Sequence, residues 1–225
     1  MQSRQFYDEL NDNYIWQKIK SHPFVTGIAD GSLSKKKYEF FLKQDYLYLI
    51  EFAKLLALAV VKADNPADMS YFSNLLDVTL NTEMDLHRQT CNEFGISTDE
   101  LLTTQPAMIT VAYTNFLLKA GYEGSFEDIL AVLLPCAAGY EEIASHLLSQ
   151  GAATKDKFYQ QWLEMYSSEG YRSLVAWLIE RMNKAAKTSS AKDRDRWHRL
   201  YLTSARFEYL FFEMSWKCNF WFDES

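Results

Sequence analysis

The chain has 225 residues, 48% apolar and 24% charged, long enough to close a core and too apolar for a disordered segment. Its 23 Lys and Arg against 30 Asp and Glu leave a formal charge of −7, which argues against a basic face for nucleic acid. Only 8 Gly and 4 Pro disfavour sandwiches and barrels, and three cysteines without CxxC spacing disfavour a disulfide scaffold or a structural zinc.

Helical periodicity runs through the sequence. The spacing predicts a first helix over about Ser3 to Lys20, ended by Ser21-His22-Pro23, then a connector carrying Gly27 and Asp30-Gly31. Ser34 reads as the N-cap of a long helix to about Asp64. Asn65-Pro66 is a cap with Pro at the first helical position and predicts a helix to about Phe94, stopped by Gly95. Ser97-Thr98-Asp99-Glu100 has capping-box spacing and opens a short helical turn. A helix over about Pro106 to Ala120 stops at Gly121, and Ser125-Phe126-Glu127-Asp128 starts another to about Gln150, before Gly151. Thr154 caps a helix to about Tyr166, and Ser168 caps one to about Lys187. A last helix covers about Ala191 to Phe222, where the basic cluster Lys192 to Arg199 is interrupted by Asp193 and Asp195 and reads as a solvated helix start. No linker or repeat divides this pattern, so one all-α domain over residues 1–225 is expected. Met1 to Lys20 lacks the apolar centre of a signal peptide, and the longest apolar run, Leu55 to Val61, is too short to span a bilayer. A soluble cytoplasmic protein is the expectation.

Three polar side chains fall within apolar stripes, where a desolvated charge or thiol needs a reason. Asp45 lies in a stripe with Tyr38, Phe41, Tyr48 and Phe52, either at its edge, paired with a base, or functional. Cys136 shares a face with Ile129, Val132 and Tyr140 and follows Pro135, which removes a backbone donor. It is a small buried hydrophobe or a reactive thiol, whereas Cys91 and Cys218 read as small hydrophobes. Glu208 is flanked one turn away by Ser204 and Ala205 and by Phe211 and Phe212; a carboxyl among rings tends to hold its proton and suits a general acid, unless its head reaches solvent. A thiol and two carboxyls brought together by a bundle would supply a nucleophile, a proton donor and a polar anchor. Glu83 and His87 stand at i, i+4 and read as a surface pair or a hydrogen-bonded histidine rather than a metal site, and His22 as a turn residue.

The stretch His22-Pro23-Phe24-Val25-Thr26-Gly27-Ile28-Ala29-Asp30-Gly31-Ser32-Leu33, then Gln44-Asp45-Tyr46-Leu47-Tyr48-Leu49, resembles the N-terminal signature of the TENA/thiaminase-II family. The resemblance continues through Leu134-Pro135-Cys136, Tyr140, Trp162 to Tyr166, and Phe207 to Met214, and covers essentially the whole chain. It implies a haem-oxygenase-like helical bundle, usually a homotetramer, that hydrolyses aminopyrimidines in thiamin salvage without metal or cofactor. The implied substrates are 4-amino-5-aminomethyl-2-methylpyrimidine and thiamin, and the product is the hydroxymethylpyrimidine. Carried over by position, Cys136 resembles the nucleophile, Glu208 the proton donor to the ring nitrogen, and Asp45 the anchor of the exocyclic amine. Tyr48 and Tyr113 resemble hydroxyls near the thiol, Tyr140 and Tyr166 substrate-contacting rings, and Phe211 a stacking partner. The chain departs from many relatives in Ala137-Ala138-Gly139, where bulkier residues are common, and in Phe212, where Trp is common. A non-catalytic pyrimidine-binding or regulatory protein, or a haem or quinone-cofactor enzyme on the same fold, are the alternatives.

Overall fold

A computed structural model describes residues 5–152 and 154–221. Every regular element among these residues is helical: α1 Phe6–Asn11, α2 Tyr14–Lys20, α3 Pro23–Asp30, α4 Lys35–Lys62, α5 Pro66–Asp77, a π-helical turn Val78–Glu83, α6 Met84–Phe94, α7 Thr98–Thr103, α8 Met108–Glu123, α9 Phe126–Ser149, α10 Lys157–Tyr166, α11 Glu169–Thr188 and α12 Ala191–Lys217. The all-α expectation is therefore met. Among the described residues no helix is long and apolar enough to cross a membrane.

Local capping chemistry sets many of the boundaries. Asn65 accepts from the Asp68 N–H with Pro66 at the first helical position, and Ser97 and Glu100 exchange both bonds of a capping box. Ser168 accepts from the Tyr171 N–H, and Ser125 and Asp128 bond each other reciprocally at the start of α9. Ser34 holds the N-cap position of α4 without a side-chain bond. Ser190 caps α12, and Arg196 pairs with Asp193, so the basic cluster is a helix start.

Several expected boundaries differ. The first helix is broken at Asp12-Asn13, because the Asn13 side chain accepts from the Ile15 N–H and restarts the chain as α2; its expected start at Ser3 lies outside the described residues. The supposed connector is the helix α3, for which Pro23 stands at the first position and His22 acts as cap. Asp156 rather than Thr154 caps α10, and the Thr154 hydroxyl instead accepts from the Asp156 N–H. The last helix ends at Lys217, with Cys218 in a left-handed conformation (φ 53°); the expected end at Phe222 lies outside the described residues.

The predicted helix over 66–94 is interrupted by the π turn. Its buried positions step regularly from Asp68 to Phe72, Leu75 and Thr79, and then jump by five to Met84 before reaching Cys91. One extra residue in the wider turn rotates the following helix, so its apolar face stays against the core. A period-3.6 reading has no way to show that insertion.

The chain divides into two compact units, residues 1–33 with 130–213, and residues 34–129 with 214–225. In the second unit the 28-residue α4 buries Tyr38, Phe41, Leu55, Leu56 and Ala59, each apolar side chain contributing roughly 1.5–3 kcal/mol. Gly121 does not stop α8. A Cβ there would lie 2.7 Å from a Leu58 methyl, so glycine lets α4 and α8 approach, and α8 continues to Glu123. Lys62 then donates to the carbonyls of Tyr122 and Gly124 at its end.

In the first unit the core is built from Ile19, Phe24, Ile28, the run Leu130 to Leu134, Tyr201 and Phe212. Gly139 is small for a definite reason: a Cβ there would stand 2.2 Å from Trp16 Cη2. The indole cannot easily retreat, because it is buried and its Nε1 donates to Tyr201 Oη, which donates on to Asn11. Gly139→Ala is therefore expected to lose about 1–3 kcal/mol to overpacking, against a helix-propensity gain of at most ~1 kcal/mol. Thermal unfolding checks this: the midpoint should fall by several degrees, at roughly 2–4 °C per kcal/mol.

Candidate active site

The first unit carries a wall of aromatic rings. Cys136 and Tyr140 stand one turn apart on α9, and Cys136 is partly exposed and forms no disulfide among the described residues. The Tyr140 ring lies 4.8 Å from Tyr166 and 5.7 Å from Trp162, both on α10, and 5.7 Å from Phe212 on α12. Trp162 and Tyr166 meet edge to face at 4.9 Å. Packed rings of this kind are stiff and present flat faces, the geometry that suits a planar heterocycle. Phe212 meets the Tyr140 ring, and Phe211, the residue before it, is buried as well.

Glu208 lies one turn before Phe212 and is 2% exposed, so the solvent-reaching alternative does not hold. Its helix is tied to α9 by Ser204, whose hydroxyl donates to the Val132 carbonyl at 2.7 Å. Ser204 is one turn before Glu208, and Val132 one turn before Cys136, so this bond fixes the helices close to both residues. His22 supports the wall from behind. Its Nδ1 accepts from the Phe24 N–H at 3.1 Å, leaving Nε2 to donate to Glu213 at 2.9 Å, and its ring lies 5.4 Å from Tyr209.

The second unit holds the remaining candidates. Tyr48 is 5.2 Å from Tyr113 and stacks on Phe52 at 5.8 Å, and both tyrosines are buried. Gln44 joins α4 to the segment that leads into α8. Its Oε1 accepts from the Ala107 N–H at 2.9 Å and the Thr110 hydroxyl at 2.7 Å, and its Nε2 donates to the Gln105 carbonyl at 3.1 Å. A glutamine this buried has to be satisfied in this way, and the three bonds hold Tyr48 and Tyr113 in register.

Among the described residues Asp45 pairs with no lysine or arginine. Its Oδ2 lies 3.4 Å from His87 Nε2. His87 Nδ1 lies in turn 3.4 Å from the sulfur of the fully buried Cys91. Burial opposes charge on His87, but Asp45 and Cys91 outweigh it and push the imidazole up to about 9. Nearby, burial raises the Glu83 carboxyl; Thr79, bonded to it at 3.2 Å, works against this and Asp45 adds to it. Among the described residues no three His, Cys, Asp or Glu side chains gather as a metal site. Cys91 is the small buried side chain expected, whereas Cys218 is partly exposed and has its thiol pushed up by burial.

Trp162, Phe212, Gln44 and His87 are the residues given no role by sequence reasoning. Trp162 entered only as part of a family-like stretch and Phe212 as a ring beside Glu208, and His87 was paired by its i, i+4 spacing with Glu83 rather than with Asp45.

Solved structures with the same course include a TenA homologue protein from P. horikoshii OT3, 30% identical with a TM-score of 0.89 over 95% of this chain and 99% of that one. A domain with a heme oxygenase-like fold from Shewanella denitrificans, 15% identical with a TM-score of 0.73 over 94% of this chain and 90% of that one, shows the fold alone. The protein is thus an all-α protein of haem-oxygenase-like fold. The chain belongs to the TENA/THI-4/PQQC family, which matches residues 11–218. It is 42% identical to an aminopyrimidine aminohydrolase of Halalkalibacterium halodurans, over 92% of each chain. It is 36% identical to an aminopyrimidine aminohydrolase of Helicobacter pylori, over 92% of this chain and 95% of the other.

Proposed function

We propose that the chain is an aminopyrimidine aminohydrolase that converts 4-amino-5-aminomethyl-2-methylpyrimidine, and thiamin by the same chemistry, to the hydroxymethylpyrimidine. The observation that carries this reading is the ring wall of Tyr140, Trp162, Tyr166 and Phe212 one helical turn from a partly exposed thiol, in a chain 42% identical to a protein of that name.

In the proposed reaction Glu208 gives its proton to a ring nitrogen, which makes the ring electrophilic. The Cys136 sulfur adds to the ring carbon next to the one bearing the aminomethyl group, forming a C–S bond. The electron pair of the dearomatised ring then breaks the exocyclic C–N bond, and the amino group of the aminomethyl substituent, in its ammonium form, leaves as ammonia; with thiamin the neutral thiazole leaves instead. Water adds to the methylene, its proton passes back through Glu208, and the ring expels sulfur. One water is consumed and one ammonia released. Asp45 accepts hydrogen bonds from the ring's exocyclic amine, Tyr48 and Tyr113 support the thiol, and Tyr140 and Tyr166 hold the ring. The family resemblance further supports a homotetramer, with residues 1–225 acting as one catalytic domain in the cytoplasm.

Incubating the purified chain with the aminomethylpyrimidine and with thiamin tests the reading. Stoichiometric ammonia, or thiazole, with hydroxymethylpyrimidine is the expected result. Tight binding of either compound with no product would replace it with a non-catalytic binding role.

A further inference from the structure

Asp45 has an unusual set of neighbours. Its side chain is 18% exposed, and among the described residues it faces an imidazole rather than a lysine or arginine. The one group directed at it is His87, whose side chain is 9% exposed and whose Nε2 stands at ion-pair distance without hydrogen-bond alignment.

The supporting residues come at helical spacing from one stretch of chain. Glu83, His87 and Cys91 follow one another at four-residue intervals, beginning where the π turn hands over to α6. That turn re-phases the helix and so decides that His87 faces α4. The titratable and charged groups around the imidazole are Asp45 and Tyr46 from α4, the latter's ring 6.0 Å away, Glu83 at the end of the π turn, and Cys91 and Arg88 from α6. Arg88 is turned outward to Asp85. Burial favours the neutral form of Glu83, while Asp45 and Cys91 favour the imidazolium of His87.

We infer that His87 is a positioning residue, which orients the Asp45 carboxylate to accept from the exocyclic amine of an aminopyrimidine. This rests on the assignment of Asp45 as substrate anchor. The imidazole stands 3.4 Å from one carboxylate oxygen, close enough to fix the carboxylate's orientation. Cys91 keeps the imidazole from rotating, since its sulfur lies against the opposite ring nitrogen.

The probe is 4-amino-5-hydroxymethyl-2-methylpyrimidine, titrated calorimetrically into the full chain, with kcat and KM measured on the aminomethyl compound. His87→Gln should raise Kd and KM by about tenfold, the scale of one charge-supported contact, and leave kcat within about threefold. Asp45→Asn should raise them further, and adding His87→Gln to Asp45→Asn should change Kd by less than about twofold, because the histidine acts through the carboxylate. The unmodified chain needs no variant to fold: its affinity should fall as pH rises through about 9, where the imidazolium is lost, and His87→Gln should lack that limb. Wild-type KM in His87→Gln, losses that multiply in the double variant, or an affinity flat through pH 9 would each overturn the inference. An unchanged Kd in Asp45→Asn would remove the anchor assignment itself, and with it the role of His87.

Discussion

Cys136→Ala is expected to reduce kcat on the aminomethylpyrimidine by roughly 10³-fold or more, while the chain stays folded and still binds the hydroxymethylpyrimidine. The reaction needs a nucleophile that adds to an aromatic ring and later departs. Sulfur does both, and no other thiol stands on this face of α9. Alanine has the highest helix propensity and Cys136 is only partly buried, so the substitution removes few contacts. Cys136→Ser should be nearly as inactive, because a hydroxyl at neutral pH holds its proton. Ammonia release measured beside far-ultraviolet dichroism and a melting curve separates lost chemistry from lost fold. Full activity in a properly folded Cys136→Ala protein would exclude covalent catalysis by this thiol.

Glu208→Gln is expected to lower kcat by about 10²–10³-fold, within the usual range for a positioned acid, and to change product affinity by no more than a few fold. Glutamine keeps the shape and the hydrogen-bonding capacity of a protonated carboxyl but transfers no proton. It also matches the buried side chain in size and shape, so folding should be little affected. The measurement is kcat and KM beside direct binding. Equal losses in turnover and binding would make Glu208 a substrate holder and leave the proton donor to be found elsewhere.

The local grammar of the chain was readable wherever a boundary is made by neighbours in sequence. Asn65 before Pro66, Ser97 with Glu100, Ser168, and Gly95 in its left-handed conformation each act within four residues, and each ends or starts a helix where expected. The boundaries that moved depend on partners further away. Gly121 reads as a stop until Leu58 is placed beside it, and His22 reads as a turn until its ring caps α3 and reaches Glu213. Gly139 stands in the sequence only as a departure from bulkier residues, and its reason is Trp16, which fills the space a side chain would take.

The helical class and the family to which the chain belongs were legible in the sequence, because periodicity, caps and motif order are properties of the linear chain. It took the tertiary structure to place Glu208 out of solvent, to set Phe212 against Tyr140, and to face Asp45 with a histidine. The physical reason is that burial and charge pairing depend on which helix faces are brought together. One extra residue in a π turn, invisible to a 3.6-residue period, is enough to choose the face that carries His87.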